Sequence, residues 1–373
     1  MLDRSLLDVF DTDTAVLHGL PAAAYTNATF LQLEQEHLFS DNWVFAGFAH
    51  QLAQSGDVRP VNVAGLPLFL LRNRRQNIVA FHNVCRHRNL KLIETAGNCG
   101  KLIRCPYHSW SYNLCGELVN APYFGGSMRD LPDDFVFAEN GLLRINCEVW
   151  HDWVFVNLSA QPQAFDDFLA PLKRQLGSTD VKDYVPVATL EFGEVACNWK
   201  LLMENFIEPY HVQFVHKFTT EQPLENHYTV IDEHCIGSAV ELSAEQESNA
   251  GADRLGATSR YLSLFPTFVM GTYRPDQMGV YLNEPISPDM TRQYRVIYCH
   301  RDADYSDAQI QRLKELWYRV HREDHAMCER LQQGRLSPLA SDGGVLSPCW
   351  ENSVRRFQEL VADSIRSALT AQR

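Results

Sequence analysis

The sequence lacks an excess of positive charge, because 33 Lys and Arg residues stand against 46 Asp and Glu residues, for a formal net charge of −13. Proteins that bind nucleic acid usually carry a basic surface, so this charge argues against that class. The sequence also lacks any run of about eighteen apolar residues, so we expect no membrane-spanning helix. Its start, MLDRSLLDVFDTD, has no basic lead into an apolar segment, and we expect no secretory signal.

A regular cysteine framework is also missing. Eight of the ten cysteines follow no regular spacing, and they are Cys99, Cys115, Cys147, Cys197, Cys235, Cys299, Cys328 and Cys349. In a long chain without a secretion signal, this irregularity predicts free thiols in a reducing cytoplasm rather than disulfides.

The other two cysteines belong to a metal-binding pattern. Cys85-x-His87 is followed, after residues 88–104, by Cys105-x2-His108. Two thiolates and two imidazoles in two loops suit a Rieske [2Fe-2S] cluster, in which histidines replace two cysteines on one iron. Zinc accepts the same ligand types, but zinc fingers usually pair Cys with Cys and His with His. We therefore predict a Rieske cluster.

Alternating strand patterns surround these loops and predict an all-β domain over residues 42–158. It ends in a hairpin whose strands flank His151 and Asp152. Before it lies an N-terminal segment, residues 1–41, that we expect to be helical, with Asn27 capping a helix, and to pack on the second domain. Residues 159–373 contain alternating strands and separate helices near 198–217, 307–333 and 350–370. Strands and helices in separate runs predict an α+β fold for this second domain.

The segment CNWKLLMENFIEPYHVQFVH suggests a second metal site. Glu208 and His211 are three positions apart and would share one helical face. His211 and His216 are five apart, which a regular helix places poorly, but Pro209 predicts a distortion that could turn both rings inward. Two His and one carboxylate form the facial triad of non-heme Fe(II) oxygenases.

The helix that begins near Asp307 offers the carboxylate. Its apolar stripe reads Ile310, Leu313, Trp317, Val320, Met327 and Leu331. Asp324 occupies the missing position of this stripe, and a core-facing carboxylate is costly unless it binds a cation or is paired. We predict that Asp324 is a metal ligand, whereas His321, Glu323 and His325 face solvent or a neighbouring element.

Together, the cluster motif, Asn198-Trp199-Lys200 and Glu204-Asn205-x2-Glu208-x2-His211-x4-His216 resemble the α subunit of Rieske non-heme iron oxygenases over nearly the whole chain. The resemblance implies a Rieske sheet domain, a helix-grip-like antiparallel catalytic domain and a homotrimer. It also implies that electrons pass from one subunit's cluster to the next subunit's iron. Asn198, Glu204 and Asn205 are supporting candidates, with capping or pairing inside the helix as the alternative.

One position departs from the family pattern. In the family, the acid three residues before the first iron histidine is usually Asp, and it bridges that histidine to a cluster histidine, which in this chain would be His108. This chain has Glu208 at the position of that Asp. With Glu at this position, the chain resembles the subgroup that oxidises quaternary ammonium compounds such as carnitine, glycine betaine, stachydrine and choline. Alternatively, Asp and Glu simply accept the same hydrogen bonds.

The resemblance further implies the partners and the chemistry. An NAD(P)H-dependent flavin and iron-sulfur reductase would reduce the cluster, and Fe(II) held by His211, His216 and Asp324 would use O2 to hydroxylate a C–H bond of a small molecule. On an N-methyl group this reaction leads to N-demethylation. Candidate aromatic walls are Phe206, Tyr210, Phe214, Tyr261, Phe265, Phe268, Tyr273 and Tyr281, which could bind a quaternary ammonium or simply pack in the core.

Three alternatives stay open. A Rieske oxygenase for an aromatic acid or ether would be favoured by a pocket arginine such as Arg260, Arg274 or Arg295. A Rieske electron-transfer protein with an empty second site would hold about two irons per chain instead of about three. An interaction protein with a structural zinc would be colourless. Finally, the C-terminal stripe of Val354, Phe357, Val361 and Ile365 is expected to cover its own domain rather than a neighbour.

Overall fold

The computed structural model describes residues 16–63, 65–249, 255, 257–273 and 276–371. The chain forms two compact units, one of them spanning Phe39–Pro162. The other combines the described residues up to Leu38 with those from Gln163 onward. The first fifteen residues of the predicted N-terminal segment lie outside the described residues.

Both units are rich in strands, as the alternating patterns predict. In chain order the strands are β1 (Leu17–His18), β2 (Val44–Phe48), β3 (Asp57–Val63), β4 (Leu66–Arg72), β5 (Ile78–His82), β6 (Gly97–Asn98), β7 (Leu102–Arg104), β8 (Ser111–Asn113), β9 (Leu118–Asn120), β10 (Arg144–Trp150), β11 (Trp153–Asn157), β12 (Tyr184–Val195), β13 (His227–Asp232), β14 (Cys235–Val240), β15 (Ser259–Leu264), β16 (Phe268–Tyr273), β17 (Gln277–Ser287), β18 (Met290–His300) and β19 (Val345–Leu346).

The α-helices among the described residues belong to the larger unit. They are α1 (Ala23–Thr26), α2 (Ala28–Leu33), α3 (Phe165–Leu176), α4 (Trp199–Ile207), α5 (Val212–Val215), α6 (Ala244–Asn249), α7 (Asp307–Gly334) and α8 (Asn352–Ala371), and a π-helix follows α2 over Glu34–Phe39. The Asn27 side chain accepts hydrogen bonds from the backbone N–H groups of Thr29 and Phe30, which confirms the predicted cap of α2. None of the helices in the described part of the chain is long and apolar enough to cross a bilayer.

The smaller unit contains two antiparallel sheets. Seven strands pair in the order β2-β11-β10-β5-β4-β3-β6, and β7-β8-β9 form a separate three-stranded sheet. Buried aromatic side chains, among them Phe69, Phe81 and Tyr112, fill the core beneath the ends of β5 and β7. This packing gives a rigid base to the two loops that follow those strands.

The larger unit is built on one seven-stranded antiparallel sheet, in the order β12-β18-β17-β16-β15-β14-β13. Helix α4 contacts β14, β15 and β17, and α8 contacts β13 and β14. The C-terminal stripe of Val354, Phe357, Val361 and Ile365 is buried, which confirms that α8 covers its own unit. The α+β fold expected from the sequence is therefore the fold of the structure.

Two details of the predicted helices are wrong. The helix expected over 198–217 is broken, because Glu208 has an extended backbone that ends α4 before Pro209, and α5 begins only after His211. The stripe predicted for α7 is also displaced, since Leu331 is half exposed while His321 and Cys328 are buried. Helix α7 packs on α4 and β12, and that contact rather than apolar spacing selects its buried face.

Candidate metal centres

The two predicted cluster loops share one backbone design. In the first loop the N–H of Asn89 donates to the carbonyl of Cys85, and in the second the N–H of Ser109 donates to the carbonyl of Cys105, both at 3.0 Å. Asn89 and Ser109 each adopt a positive φ, of 57° and 59°. The two loops thus turn in the same way, and each holds its cysteine and histidine on one side of a tight turn.

The four side chains of these loops converge. The rings of His87 and His108 have their centroids 4.6 Å apart, and Trp110 stacks on His87 at 4.9 Å. The buried Nδ1 atoms of both histidines have no hydrogen-bond partner among the described residues. Cys85 and Cys105 are buried beside them, and burial raises the pKa of the Cys85 thiol. Two thiols and two orphaned ring nitrogens are the donors that a Rieske cluster requires.

The second group lies in the larger unit, where α7 comes close to the non-helical turn between α4 and α5. His211, His216 and Asp324 each offer one ligand atom, and these three atoms lie within 4.8 Å of one another. The Oδ1 atom of Asp324 is 3.0 Å from Nε2 of His216 and 3.5 Å from Nε2 of His211. The structure thus brings together the three residues that the sequence singled out.

Two further carboxylates contact the Nδ1 atoms of the His211 and His216 rings. Nδ1 of His211 lies 2.5 Å from Oε1 of Glu208, and Nδ1 of His216 lies 2.7 Å from Oε2 of Glu323. Thr219 also donates to Glu323. Each Nδ1 is therefore engaged, which leaves the Nε2 atoms directed at one point beside Asp324. The break at Pro209 makes this possible, because Glu208 and His211 meet across a turn and not along a helical face as predicted.

The charges of this group are strongly coupled. Burial opposes protonation of His211, but Glu208 and Asp324 outweigh it and raise the pKa of that imidazole to about 10. Burial likewise opposes ionisation of Asp324, yet the two histidines hold the pKa of its carboxyl well below the usual range. The triad accordingly favours an ionised carboxylate and a positive charge beside it, which is the arrangement a divalent cation would satisfy.

The other predicted supporting residues separate into two groups. Asn205 is at the site, with its Nδ2 atom 3.5 Å from Nε2 of His211. Asn198 instead caps α4 and donates to backbone carbonyls, the capping alternative considered above. Glu204 accepts a 2.6 Å hydrogen bond from the hydroxyl of Tyr25, and it does not line the cavity over the triad.

A cavity opens over the triad. Its aromatic walls come from Phe206, Tyr261, Tyr281 and Trp317. Of the other aromatic candidates, Tyr210 and Phe214 are largely exposed, whereas Phe265, Phe268 and Tyr273 are buried outside the lining of the cavity. The aromatic surface near the metal group is therefore smaller than the sequence suggests.

Several polar residues line the cavity although the sequence assigned them no role there, and among them are His321 and His325, which we expected to face solvent or a neighbouring element. His227 lines it with both ring nitrogens unpartnered among the described residues, and burial lowers its pKa to about 4. His321 and His325 also line it, and both meet Oε1 of Gln293. Their sequence positions carry no motif, because contacts with a strand about thirty positions away decide their orientation.

The three candidate arginines differ in position. Arg295 on β18 is fully buried and packs against Tyr281 and Trp317, two residues of the cavity wall. Arg260 on β15 is partly exposed, and Arg274 lies outside the described residues.

Comparison with protein families gives two matches. Residues 179–367 match the catalytic domain of the ring-hydroxylating α subunit, and residues 42–132 match the Rieske [2Fe-2S] domain. The first match covers half of the chain.

Individual proteins resemble the chain over most of its length. The glycine betaine monooxygenase oxygenase subunit of Chromohalobacter salexigens is 27% identical over 95% of this chain and 87% of its own length. The chloroplastic choline monooxygenase of Arabidopsis thaliana is 28% identical over 87% of this chain and 78% of its own.

Solved structures show the same fold. A quaternary ammonium Rieske monooxygenase in complex with γ-butyrobetaine superposes with a TM-score of 0.79, at 22% identity, over 97% of this chain and 99% of that one. Naphthalene 1,2-dioxygenase from Rhodococcus sp. superposes with a TM-score of 0.78, at 17% identity, over 99% of this chain and 98% of that one.

Proposed function

We propose a function from the premise that this chain belongs to the family of ring-hydroxylating oxygenase α subunits, and is therefore a Rieske-type oxygenase with a [2Fe-2S] cluster and a mononuclear iron. As the oxygenase component of such a system, it works with O2 and a reductase. Its substrate, in our proposal, is a quaternary ammonium or another N-methylated small molecule, from which it removes a methyl group.

The metals are assigned to the residues that converge in each unit. We assign the cluster to Cys85, His87, Cys105 and His108, whose orphaned ring nitrogens and buried thiols suit it. We assign the iron to His211, His216 and Asp324. The donors present in each unit fit the group that the family carries there.

One observation carries the choice of substrate. Phe206, Tyr261 and Tyr281 line the same cavity as the proposed iron ligands. The ring centroid of Phe206 lies 5.8 Å from that of Tyr261 and 5.1 Å from that of Tyr281, so the three rings form one continuous surface. Aromatic faces attract a desolvated quaternary ammonium by about 2 kcal/mol or more. Relatives named for glycine betaine and choline support the same substrate class.

The chemistry divides between the metals and the chain. Bound iron would supply O2 activation: with two electrons from the reductase and two protons, one oxygen atom enters a C–H bond of an N-methyl group and the other leaves as water. The N-hydroxymethyl product then loses formaldehyde and a proton and leaves the demethylated amine. The residues of the chain orient the substrate: the aromatic wall holds the ammonium, and the fixed imidazoles of His211 and His216 keep the reacting position in place.

Electron delivery is the second part of the proposal. Glu208 already contacts Nδ1 of His211 at 2.5 Å, and we propose that it also accepts a hydrogen bond from the cluster ligand His108 of a neighbouring copy in a homotrimer. A carboxylate has enough lone pairs for both bonds. The partner reductase would be an NAD(P)H-dependent flavin and iron-sulfur protein, and the system would operate in the cytoplasm.

A second candidate substrate follows from Arg295. A buried arginine behind the cavity wall favours an anionic substrate, as expected for an oxygenase that acts on an aromatic acid. The two candidates predict different products, because only N-demethylation releases formaldehyde together with an amine.

The test uses the full chain, loaded with iron, and a generic flavin reductase. NADH and O2 consumption are measured with quaternary ammonium compounds and with aromatic acids, and formaldehyde is assayed in parallel. We expect formaldehyde in proportion to O2 consumed with a quaternary ammonium. Consumption coupled only to an aromatic acid would reject N-demethylation and support the second candidate.

A further inference from the structure

Arg295 is a buried charge with no anionic partner among the residues that the structure describes. Its side chain is fully inaccessible to solvent. Nη1 donates a 2.5 Å hydrogen bond to the hydroxyl of Tyr281, whereas Nε and Nη2 have no hydrogen-bond partner in the described part of the chain. No described carboxylate accepts from either atom. An uncompensated buried cation is strongly unfavourable, so its retention calls for a function.

The surroundings of Arg295 hold it in place. The guanidinium carbon lies 3.2 Å from the ring centroid of Trp317, 4.7 Å from that of Tyr281 and 5.5 Å from that of Tyr273. Gly279 makes room for the guanidinium on the sheet, because a Cβ atom there would clash with it. These aromatic faces compensate part of the charge and fix its position.

Tyr281 connects this charge to the cavity. It pairs directly with Arg295 across β17 and β18 and also lines the cavity. Because the Tyr281 oxygen accepts a hydrogen bond from Arg295, its own hydroxyl proton is free to be donated to another acceptor. That acceptor is either the hydroxyl of Tyr273, 3.2 Å away, or an anionic group of a bound substrate. Arg295 thus polarises a hydrogen-bond donor in the cavity wall.

The metal group makes another part of the cavity negative, since Asp324 follows Trp317, the residue against which Arg295 packs, by seven positions on α7, about 10 Å along the helix. Glu208, Glu323 and Asp324 surround the two histidines, and three carboxylates carry more charge than one divalent cation neutralises. A substrate in this cavity therefore meets negative charge near the metal group and positive charge behind Tyr281. A zwitterion, with an ammonium at one end and a carboxylate at the other, matches these two charges.

We propose that Arg295, acting through Tyr281, determines specificity for substrates that carry a carboxylate as well as an N-methylated ammonium. This inference rests on the proposed function and narrows it from quaternary ammonium compounds in general to ammonio-carboxylates. The carboxylate accepts a hydrogen bond from Tyr281, and the ammonium lies toward Phe206 and the metal group. A cationic alcohol of similar size has no carboxylate to accept the hydrogen bond from Tyr281.

The experiment compares glycine betaine with choline, which share a trimethylammonium group and differ in carboxylate against hydroxymethyl. Formaldehyde release is measured for the iron-loaded wild type, Arg295→Gln and Tyr281→Phe. The matched control is Arg292→Gln, because Arg292 lies on the same strand but is exposed and ion-paired with Glu194 and Glu284. Circular dichroism and the visible spectrum of the cluster verify that each variant folds.

We expect wild type and Arg292→Gln to prefer glycine betaine by at least about tenfold in kcat/KM, the scale of one charge-assisted hydrogen bond. Arg295→Gln should lose most of this preference, mainly through a higher KM for glycine betaine, while the KM for choline changes little. Tyr281→Phe should lose the preference as well. The ratio of the kcat/KM values for the two substrates is the informative quantity, because a merely structural defect lowers both values together.

Four outcomes would overturn the inference. Equal use of the two substrates by wild type, or an equal loss of both rates in Arg295→Gln, would remove Arg295 from substrate selection but leave N-demethylation intact. If neither compound released formaldehyde, the proposed function itself would fail, and the inference with it. A preference that survives in both variants would reject the assigned residues.

Discussion

At the scale of single residues, the metal group depends on carboxylates that play different roles. Asp324 faces the Nε2 atoms of both histidines, whereas Glu208 and Glu323 engage their Nδ1 atoms. A carboxylate beside Nε2 can share a metal with the imidazole, whereas a carboxylate beside Nδ1 can only orient the ring. Substitutions of these acids should therefore have distinguishable effects.

Asp324→Ala should lose the mononuclear iron and keep the cluster, because it removes one of three ligands from the larger unit alone. Iron per chain should fall by about one, while acid-labile sulfide stays at about two. Glu315→Ala, at an exposed position of α7, serves as the control and should keep its full iron content. Retention of the third iron in Asp324→Ala would exclude Asp324 as an essential ligand.

Glu208→Ala should leave both metal centres visible by spectroscopy but slow electron transfer between them. We expect the rate of substrate-dependent cluster oxidation to fall by about 100-fold, at the upper end of the cost of removing a group that orients a metal ligand. Stopped-flow absorbance of the pre-reduced cluster measures this rate. Glu208→Asp should recover part of it, and near-wild-type oxidation in Glu208→Ala would contradict the bridging role.

At the scale of elements, a buried ion pair fixes α4. Nζ of Lys200 lies 2.6 Å from Oε1 of Glu34, and both side chains are fully inaccessible. Burial raises the pKa of Glu34 and lowers that of Lys200, although each partner opposes the shift of the other. The rings of Tyr25, Phe30 and Trp199 surround the ammonium at 5.2 to 5.3 Å.

Lys200→Met should therefore lower the free energy of unfolding by about 3–5 kcal/mol, because it leaves the Glu34 carboxylate buried without a partner. Adding Glu34→Leu should restore most of this loss, since the double variant contains no orphaned charge. Urea denaturation followed by tryptophan fluorescence gives both values. A double variant as unstable as the single one would show that the pair contributes more than mutual neutralisation.

The sheet also depends on a glycine. Gly279→Ala would place a methyl group against the Arg295 guanidinium, which Trp317 confines from the other side. We expect a loss of about 1–3 kcal/mol, typical of overpacking in a core. Gly97→Ala is the matched control, because a Cβ there meets nothing within 4 Å, and its effect should stay within about 0.5 kcal/mol. Thermal unfolding measures both, and equal melting temperatures would show that Arg295 can move away freely.

At the scale of the whole molecule, the two proposed iron centres belong to different units and should be lost separately. An Fe(II) chelator should remove about one of about three irons per chain and abolish formaldehyde release. The visible spectrum of the cluster should persist, because buried thiolates bind it in the other unit. A protein with about two irons before chelation would support the alternative of an electron-transfer protein with an empty second site.

Much of the architecture could be read from local patterns. The cluster motif, the Glu208–His216 segment, the strands and the α8 stripe each lie within short windows, where residue spacing reflects a turn, a strand or a helix face directly. Asp324 was singled out because it interrupts an apolar stripe, although that stripe is partly displaced in the structure, with Leu331 half exposed. A costly polar residue on a core face is thus informative even when the face is only roughly known.

The sequence by itself determined the α+β class and the spacing of the two candidate metal-binding motifs, because these follow from local spacing and periodicity. Tertiary structure alone decided that Glu323 engages His216 over 107 positions and that Arg295 meets Tyr281 across two strands. It also decided that Glu204 meets Tyr25 and that Asn198 caps α4, so that neither side chain lines the cavity over the triad. Such contacts depend on strand register and helix packing, which join residues distant in sequence, and no local pattern records them.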